Sequence, residues 1–547
     1  MDRYMNITPD GTKDYMFNQA KKIRETEEKI REVFEKSGYG EVITPAVEFY
    51  DVFATNESHF PQESLYKTVD SKGRMLVMRP DSTIPIARMI SSKLNLPEIP
   101  LKLYYSQAVY RQEDTLKGRK NEIRQMGIEN IGMRDTNTDV DVLQLAARAI
   151  ESAGVKNYRL EIGNIGLFNG LLDKIGASEK EKEEIYTLVL SKNYAALKDI
   201  LENFSDKKGA EIIMELPKMF GGIEVITEIK KMLSGYDRSL IETVLYLEEI
   251  VNAMNRNGYG DHIFIDLGLV NQVDYYTGLI FRGYADKIGE AVVSGGRYDD
   301  LYKGMGTDVC AVGFAINVEQ LIAASKLVKE EGKKGKSPLR IAITKGRMEE
   351  QVGKLLTKAG YEISALEDKG RKLIIPIAGG SMEIVLAKAP DVITYVEHGV
   401  CDIGIVGKDT ILEYGGTYYE VLDLKLGKCR FALATQKGED FYEGYKTKRI
   451  ATKYPNVTKK YFNDKGIDIE IIKIEGSVEL APLLSLSDGI VDIVETGTTL
   501  KENGLEVQEI IREISARAIV NIAGMKFKKE EIEEFMQRLG ENIDEDI

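Results

Sequence analysis

The chain has 547 residues, more than one ordinary domain of roughly 100 to 200 residues accommodates, so two to four domains are expected. A formal net charge of -14 argues against nonspecific binding to nucleic acid or an anionic membrane. Three histidines are too few for a histidine-rich metal site, and Cys310, Cys401 and Cys429 lack metal-type spacing and read as reduced structural thiols. The N-terminal stretch MDRYMNITPDGTKDYM has no apolar core of a secretory leader. No uninterrupted apolar run is long enough to span a bilayer, so a cytoplasmic protein is expected.

In chain order, Lys13 to Ser37 reads as a charged amphipathic helix stopped by Gly38. Strand-like stretches follow at Glu41 to Thr44, Met75 to Met78, Leu101 to Tyr110 and Gln125 to Ile131. A block from about Leu167 to Asn257 is almost wholly helical in pattern. Strands return at Phe264 to Leu267, Leu279 to Tyr284 and Ala291 to Ser294. Strands on both sides of a helical block predict an antiparallel sheet with a helical insertion, an α+β domain over 1–325. Ser325 to Pro338, SKLVKEEGKKGKSP, has the composition of a solvated linker, placed at 326–337.

From 338 to 547 the pattern alternates strand-like runs (LRIAIT, KLIIPIA, CDIGIVG, RFALATQ, KRIATK, IEIIKI, GIVDIV) with helix-like ones. That alternation predicts parallel α/β architecture, in two lobes around a cleft. Basic and acidic turns recur at the strand ends: Lys345-Gly346-Arg347, Arg371-Lys372, Gly407-Lys408-Asp409, Lys453 and Glu475-Gly476-Ser477. The most informative stretch is Asp488 to Leu500, DGIVDIVETGTTL, where a buried strand opens into a small hydroxyl-rich turn. Gly497 allows close backbone approach, and Thr496, Thr498 and Thr499 can hold a phosphate at a helix start. Asp492 and Glu495 can accept from sugar hydroxyls. Together these groups suit a ribose 5-phosphate carrying a metal-bound pyrophosphate.

IAITKGRM, VEHGVCDIGIVGKDTIL, RIATKYPNVTKKYF, IEGSVELAPLL and DGIVDIVETGTTLKENGL resemble the successive motifs of the catalytic subunit of ATP phosphoribosyltransferase, over essentially all of 338–547. The resemblance implies two periplasmic-binding-protein-like lobes that condense ATP with phosphoribosyl pyrophosphate, adenine N1 attacking the anomeric carbon as pyrophosphate leaves, with Mg²⁺ as cofactor. It also implies the short form of the enzyme, because the chain ends soon after IVNIAGMKFKKEEIEEFMQRLGENI. By motif match, Arg347 and Arg371, with Lys345 beside them, are candidates for contacts to pyrophosphate and ATP phosphates. Asp492 and Glu495 would hold ribose hydroxyls, and Thr496, Gly497, Thr498 and Thr499 the 5-phosphate. Lys408, Lys453, Glu475 and Ser477 are further cleft candidates. His398 reads as a packed or capping residue outside the mechanism.

MRPDSTIPIAR, YRQEDTLKGRKNEIRQMGIENIG, DYYTGLIF and SGGRYDDL with AVGFAINVEQL resemble a class II aminoacyl-tRNA synthetase, closest to histidyl-tRNA synthetase, over roughly residues 5 to 325. Two arginines of that family are replaced here, by Asn271 and Gln320, which removes charge and fork geometry needed for ATP phosphates. Productive tRNA charging is therefore not expected, and residual histidine adenylation is the alternative reading. The amino-acid pocket is kept: Asp81, Thr83, Arg111, Gln125, Glu129, Tyr275 and Tyr276 match positions that surround histidine in the synthetases. This combination resembles the regulatory subunit of the short-form transferase. The whole implies a regulatory-catalytic fusion, inhibited by histidine and assembled as a homo-oligomer.

Overall fold

The computed structural model describes residues 5–54, 60–93, 100–112, 119–190, 194–270, 275–331 and 337–543, and divides into two compact units, Met1–Gly335 and Lys336–Ile547. Among the described residues no helix is long and apolar enough to cross a membrane.

The first unit is built on a nine-stranded sheet in the order Gly40–Glu41, Leu101–Tyr110, Glu122–Ile131, Ala311–Asn317, Val293–Arg297, Leu279–Ala285, Tyr158–Asn164, Ile263–Asp266, Phe220–Gly221. Pairing is antiparallel except at Gly40–Glu41 with Leu101–Tyr110 and Tyr158–Asn164 with Ile263–Asp266. Helices Asn18–Lys36 and Thr136–Ser152 contribute Ile30, Phe34, Val142 and Ala146 to the core that includes Ile128, Phe314 and Ile316 of the sheet. Asp135 starts the second of these helices by accepting from Thr138 N at 3.0 Å. The helical insertion runs from Ile165–Ile175 to Arg238–Arg256, and lends the sheet its last strand at Phe220–Gly221.

Several elements differ from the sequence reading. The first helix begins at Asn18 rather than Lys13, because Phe17 adopts φ 46°, outside helical space. The expected strand Glu41 to Thr44 pairs only at Gly40–Glu41, and Arg79 Nη1 then takes the carbonyls of Thr44 and Pro45 at 2.7 and 3.0 Å. Met75–Met78 lies outside the large sheet, between Val47–Phe49 and Lys67–Val69 in a three-stranded one. The helix Val318–Glu331 also runs through the first part of the expected linker, and 332–336 fall outside the described residues.

The second unit has two sheets. One follows the order Ile374–Ile377, Met382–Ala387, Leu339–Thr344, Ile403–Gly407, Ala516–Val520, Tyr419–Asp423; the other Ile469–Lys473, Lys448–Thr452, Gly489–Val494, Cys429–Gln436, Leu505–Ile514. The expectation of a parallel architecture holds only at their centres. Met382–Ala387, Leu339–Thr344 and Ile403–Gly407 run parallel, as do Ile469–Lys473, Lys448–Thr452 and Gly489–Val494, but the remaining strands add antiparallel pairs.

The chain passes from the first lobe to the second between Asp423 and Cys429 and returns between Ile514 and Ala516. These crossings are bonded to each other, Leu424 N to Ala516 O at 3.0 Å and Ala516 N to Leu426 O at 2.8 Å. The helix Lys408–Tyr414 of the first lobe makes a further tie, because the Glu413 carboxylate accepts from Asn456 N and Val457 N at the start of Pro455–Asp464 in the second. The last helix, Lys529–Gly540, returns to the first lobe and buries Ile532, Phe535 and Leu539 in its core.

Asn521 joins three of these pieces. Its Oδ1 accepts from Gly524 N at 2.7 Å and starts the helix Ile522–Phe527, while its Nδ2 donates to Val396 O at 2.7 Å in a buried position. Asn521→Ala removes the cap and one of two bonds to the Val396 carbonyl, which Gly399 N still reaches at 3.0 Å, so a loss of about 0.5–2 kcal/mol is expected. Urea unfolding should show a lower midpoint for Asn521→Ala; an unchanged midpoint contradicts the assignment.

Candidate functional site

In the second unit, Leu339–Thr344 and Ile403–Gly407 in one lobe, and Lys448–Thr452 and Gly489–Val494 in the other, each deliver a polar turn at a carboxyl end. Ligands of open α/β sheets bind at such ends. Lys345 and Arg347 follow the first strand, both exposed. Arg371 precedes Ile374–Ile377, which runs antiparallel to its neighbour, so its start lies beside the carboxyl end of Met382–Ala387. Leu386 N bonds Leu373 O at 2.9 Å and Lys345 N bonds Ala387 O at 2.9 Å, which places Arg371 and Lys345 on the same rim.

The opposite rim carries Asp492 and the turn Glu495 to Thr499. Gly497 has φ 77°, a left-handed value that a side chain would strain, and it starts the short helix Thr498–Glu502. The hydroxyls of Thr496 and Thr498 stand 3.0 Å apart, and Thr499 is exposed beside them. Asp492 accepts from Ile493 N at 2.8 Å. Burial pushes its carboxyl up to about 6, with Glu479 and Asp409 adding to the rise and Lys453 opposing it. The two rims meet in a bidentate contact: Arg347 Nη1 and Nη2 donate to Glu495 Oε2 and Oε1 at 2.8 and 2.7 Å.

The weaker cleft candidates divide. Lys453 is exposed, its ammonium 5.8 Å from the Tyr454 ring, and Tyr454 OH donates to Asp409 across the lobes at 3.3 Å. Glu475 is exposed and paired with Lys473 at 2.8 Å, with Ser477 exposed in the same turn. Lys408 differs from the expectation of a cleft cation. It is 7% exposed and its ammonium is held by Glu420, in a cluster where Arg517 also reaches Glu420 and Asp423. The reason is local: Lys408 opens a helix whose first N–H is tied to Ser515 O at the crossing, which turns the side chain to the hinge. His398 ends the helix Ala389–Glu397, its N–H bonding Thr394 O.

In the first unit the strand Glu122–Ile131 presents Gln125, Gly127 and Glu129 on one face. Glu129 is 1% exposed; Thr83 Oγ1 donates to its Oε1 at 2.8 Å, while Oε2 is buried without a hydrogen-bond partner. Burial, reinforced by the negative charge of Asp81, raises the Glu129 carboxyl well above the usual range. Asp81 is raised by burial too, though it accepts from Ile84 N at 3.1 Å and from Tyr275 OH at 3.2 Å. Arg111 is anchored by Nε to Pro80 O at 2.8 Å, and Tyr275 and Tyr276 sit with ring centres 4.9 Å apart.

Residues absent from the sequence reading complete this pocket. Tyr298 packs on Tyr275 at 5.6 Å, and the hydroxyls of Tyr298 and Tyr302 are buried without partners. A Cβ on Gly313 would meet Glu129 Oε2 at 2.4 Å and Tyr298 OH at 2.7 Å, and one on Gly127 would meet Tyr105 OH at 2.4 Å. The two glycines therefore let a carboxyl and two phenols sit directly against the backbone, a polar cluster whose free acceptor and hydroxyl could meet a cationic or N–H-bearing ring. The motif SGGRYDDL contained Tyr298 and Tyr302 flanks it, which was the available signal.

Asn271 lies outside the described residues. Gln320 donates to Glu290 at 3.0 Å. Nearby, a cavity of about 120 Å³ is lined by Gly11, Lys13, Tyr15, Lys120, Glu122, Arg124 and Glu319, and its Lys120, Tyr15 and Glu319 bind one another.

Comparison with known proteins agrees with this division. A Histidyl-tRNA synthetase family model matches residues 11–321 and an ATP phosphoribosyltransferase family model residues 388–541. The ATP phosphoribosyltransferase regulatory subunit of Bacillus mycoides is 35% identical over 72% of this chain and 95% of its own length. The ATP phosphoribosyltransferase of Clostridium kluyveri is 58% identical over 39% of this chain and 96% of its own. A crystal structure from Bacillus halodurans, described as an ATP phosphoribosyltransferase regulatory subunit/histidyl-tRNA synthetase, has a TM-score of 0.55 and 25% identity, covering 70% of this chain and 93% of that one.

Asp492 offers a test by titration. Between pH 3.8 and about 6 the folded protein holds a proton that the unfolded chain has lost, so stability falls as pH rises through that window. Asp492→Asn is expected to raise the unfolding midpoint above pH 6, by roughly 1–3 kcal/mol, the gain fading at lower pH; a gain that is flat with pH contradicts the raised carboxyl.

Proposed function

The chain belongs to the ATP phosphoribosyltransferase family, with a regulatory-subunit part and a catalytic part in one polypeptide, and we propose that histidine bound in the first unit controls catalysis in the second. The reaction condenses ATP with phosphoribosyl pyrophosphate, the first step of histidine biosynthesis. Adenine N1 forms a bond to the anomeric carbon while the bond from that carbon to the pyrophosphate oxygen breaks. N1 is already a neutral nucleophile, so positioning and charge stabilisation matter more than a strong base.

The observation that carries the residue roles is the meeting of the two rims at Arg347 and Glu495. Arg347, Lys345 and Arg371 are the cations on one rim that would take the pyrophosphate and ATP phosphates. Asp492 and Glu495 would accept from the ribose hydroxyls, with Thr496 to Thr499 around the 5-phosphate. Lys453 stands beside Asp492 and lowers its proton affinity, which favours the accepting carboxylate. Among the described residues no group of three or more His, Cys, Asp or Glu side chains could hold a metal. Mg²⁺ would be carried on the substrate phosphates, with Asp492 able to complete its shell. When bound there, Mg²⁺ neutralises charge on the departing pyrophosphate.

For histidine, Glu129 with its unpartnered oxygen and the Tyr298 hydroxyl would read the imidazole, while Arg111 would serve the carboxylate and Asp81 the ammonium. Gln125, Thr83, Tyr275 and Tyr276 wall the pocket. Adenylation has no part in this reading, because Gln320 supplies a neutral amide engaged by Glu290. Ile43, Val47, Phe49, Val69 and Met75 form exposed apolar surface on and beside the three-stranded sheet, which supports a homo-oligomer. The free cysteines Cys310, Cys401 and Cys429 support a reducing, cytoplasmic setting.

Formation of phosphoribosyl-ATP by the full chain should fall as histidine is added. Glu129→Gln should raise the half-inhibitory histidine concentration about tenfold or more, the range for losing a charged hydrogen bond; an unshifted value removes Glu129 from the pocket. Arg371→Ala should lower kcat by roughly 100-fold, the loss typical of one preorganised donor, and an unaltered kcat at saturating substrates contradicts its role.

A further inference from the structure

Arg347 and Glu495 come from different lobes, yet each satisfies the other. Arg347 opens the helix Arg347–Lys358 after the first strand of one sheet, and Glu495 follows Gly489–Val494 in the other. The contact is bidentate, at 2.8 and 2.7 Å, and both side chains remain substantially exposed, 66% and 50%. A planar carboxylate offers a guanidinium the same paired oxygens that a phosphate does. We infer that Glu495 is a positioning residue for Arg347, occupying the pyrophosphate's place on the guanidinium in the ligand-free cleft and yielding it when pyrophosphate arrives.

The exchange has a direction. Phosphate oxygens displace Glu495 from Arg347, and the displaced carboxylate is then available to the ribose hydroxyls on its own rim. One donor molecule therefore supplies both the group that breaks the pair and the group that receives the freed acid. Exposure matters, because an exposed ion pair is weak enough to be exchanged. Until then it holds a long, flexible arginine across the cleft at a place where a phosphate belongs. This inference rests on the proposed role of Arg347 in binding pyrophosphate.

Inorganic pyrophosphate with Mg²⁺ is the probe, titrated calorimetrically into the full chain and its Glu495→Gln, Arg347→Ala and doubly substituted forms. Glu495→Gln should bind pyrophosphate about two- to fivefold more tightly, the range an exposed ion pair supports, and this gain should vanish when Arg347 is also alanine. Unchanged or weaker binding by Glu495→Gln overturns the inference. So does an equal gain in the Arg347→Ala background, which would report general relief of negative charge. Arg347→Ala binding pyrophosphate as tightly as the unaltered chain would instead remove Arg347 from the leaving-group site, a separate failure.

Discussion

The catalytic cleft depends on a short stretch of bonded backbone, where residues 424 to 426 run beside Ala516 at the passage between lobes. The strands Ile403–Gly407 and Gly489–Val494 end beside this passage, Gly407 opposite Ala516 and Val494 opposite Arg430, so a change there shifts the turns of both rims. Charge reinforces it. Lys408 and Arg517 meet Glu420 and Asp423 in a half-buried cluster, and Ser515 Oγ donates to Asp423 at 2.6 Å. Burial pulls the Lys408 ammonium down while Glu420 beside it acts the other way. Removing one member of such a set leaves a buried charge without its partner, which is far more destabilising than the intact set is stabilising. The hinge is therefore specified by its mutual pairing more than by net attraction. Glu413, capping the helix Pro455–Asp464 from the opposite lobe, adds a second point that fixes the angle between rims.

The first unit handles buried charge in two ways. Arg297 and Asp139 are buried and matched, Nη2 to Oδ1 at 2.6 Å, with Tyr246 also bonded to Asp139. That group ties the end of a sheet strand to two helices and leaves nothing for a ligand. A few residues away, Glu129 keeps one oxygen unpartnered beside the Tyr298 hydroxyl. Unmet buried polar groups are unfavourable by about 1–3 kcal/mol each, a cost recovered only when something binds. The contrast separates scaffold from site within one core. For a bound ligand to alter catalysis elsewhere, it must favour one conformational state of the chain over another.

Much of the fold was legible from residue patterns. LRIAIT and GIVDIV are strands with the bounds their composition suggests, because β-branched apolar runs closed by polar turns leave little alternative. Leu505–Ile514 was missed for the opposite reason: LEVQEIIREI mixes acids with apolar residues and lies at a sheet edge, mostly half-buried or exposed. Met382–Ala387 and Ala516–Val520 were also missed, and their identity as strands comes from pairing partners far away in the chain. The cleft residues were visible as turns at strand ends, but a turn does not reveal its side chains' directions. Lys345 points outward to solvent, whereas Lys408, in a similar motif, turns into the hinge. Tyr298 and Tyr302 were not picked out as site residues, although SGGRYDDL contains one and adjoins the other, because buried tyrosines are ordinary core components and only their orphaned hydroxyls distinguish these two.

The two sites also differ in how they tolerate waiting for a ligand. Arg347 and Glu495 remain charged because they are exposed and paired, with the Glu495 carboxyl held low by Arg347. Glu129 lies too deep for that solution, and burial raises its proton affinity instead. Solvent and salt reach the first arrangement and not the second, so electrostatics in the cleft is screened while that in the pocket is not. This division suits the ligands. A polyanion such as pyrophosphate must exchange quickly with fixed cations and leave after each turnover, which weak, wet contacts permit. A small amino acid that sets the state of the chain binds through few groups, and each must count for more in a dry pocket where an unmatched partner is heavily penalised.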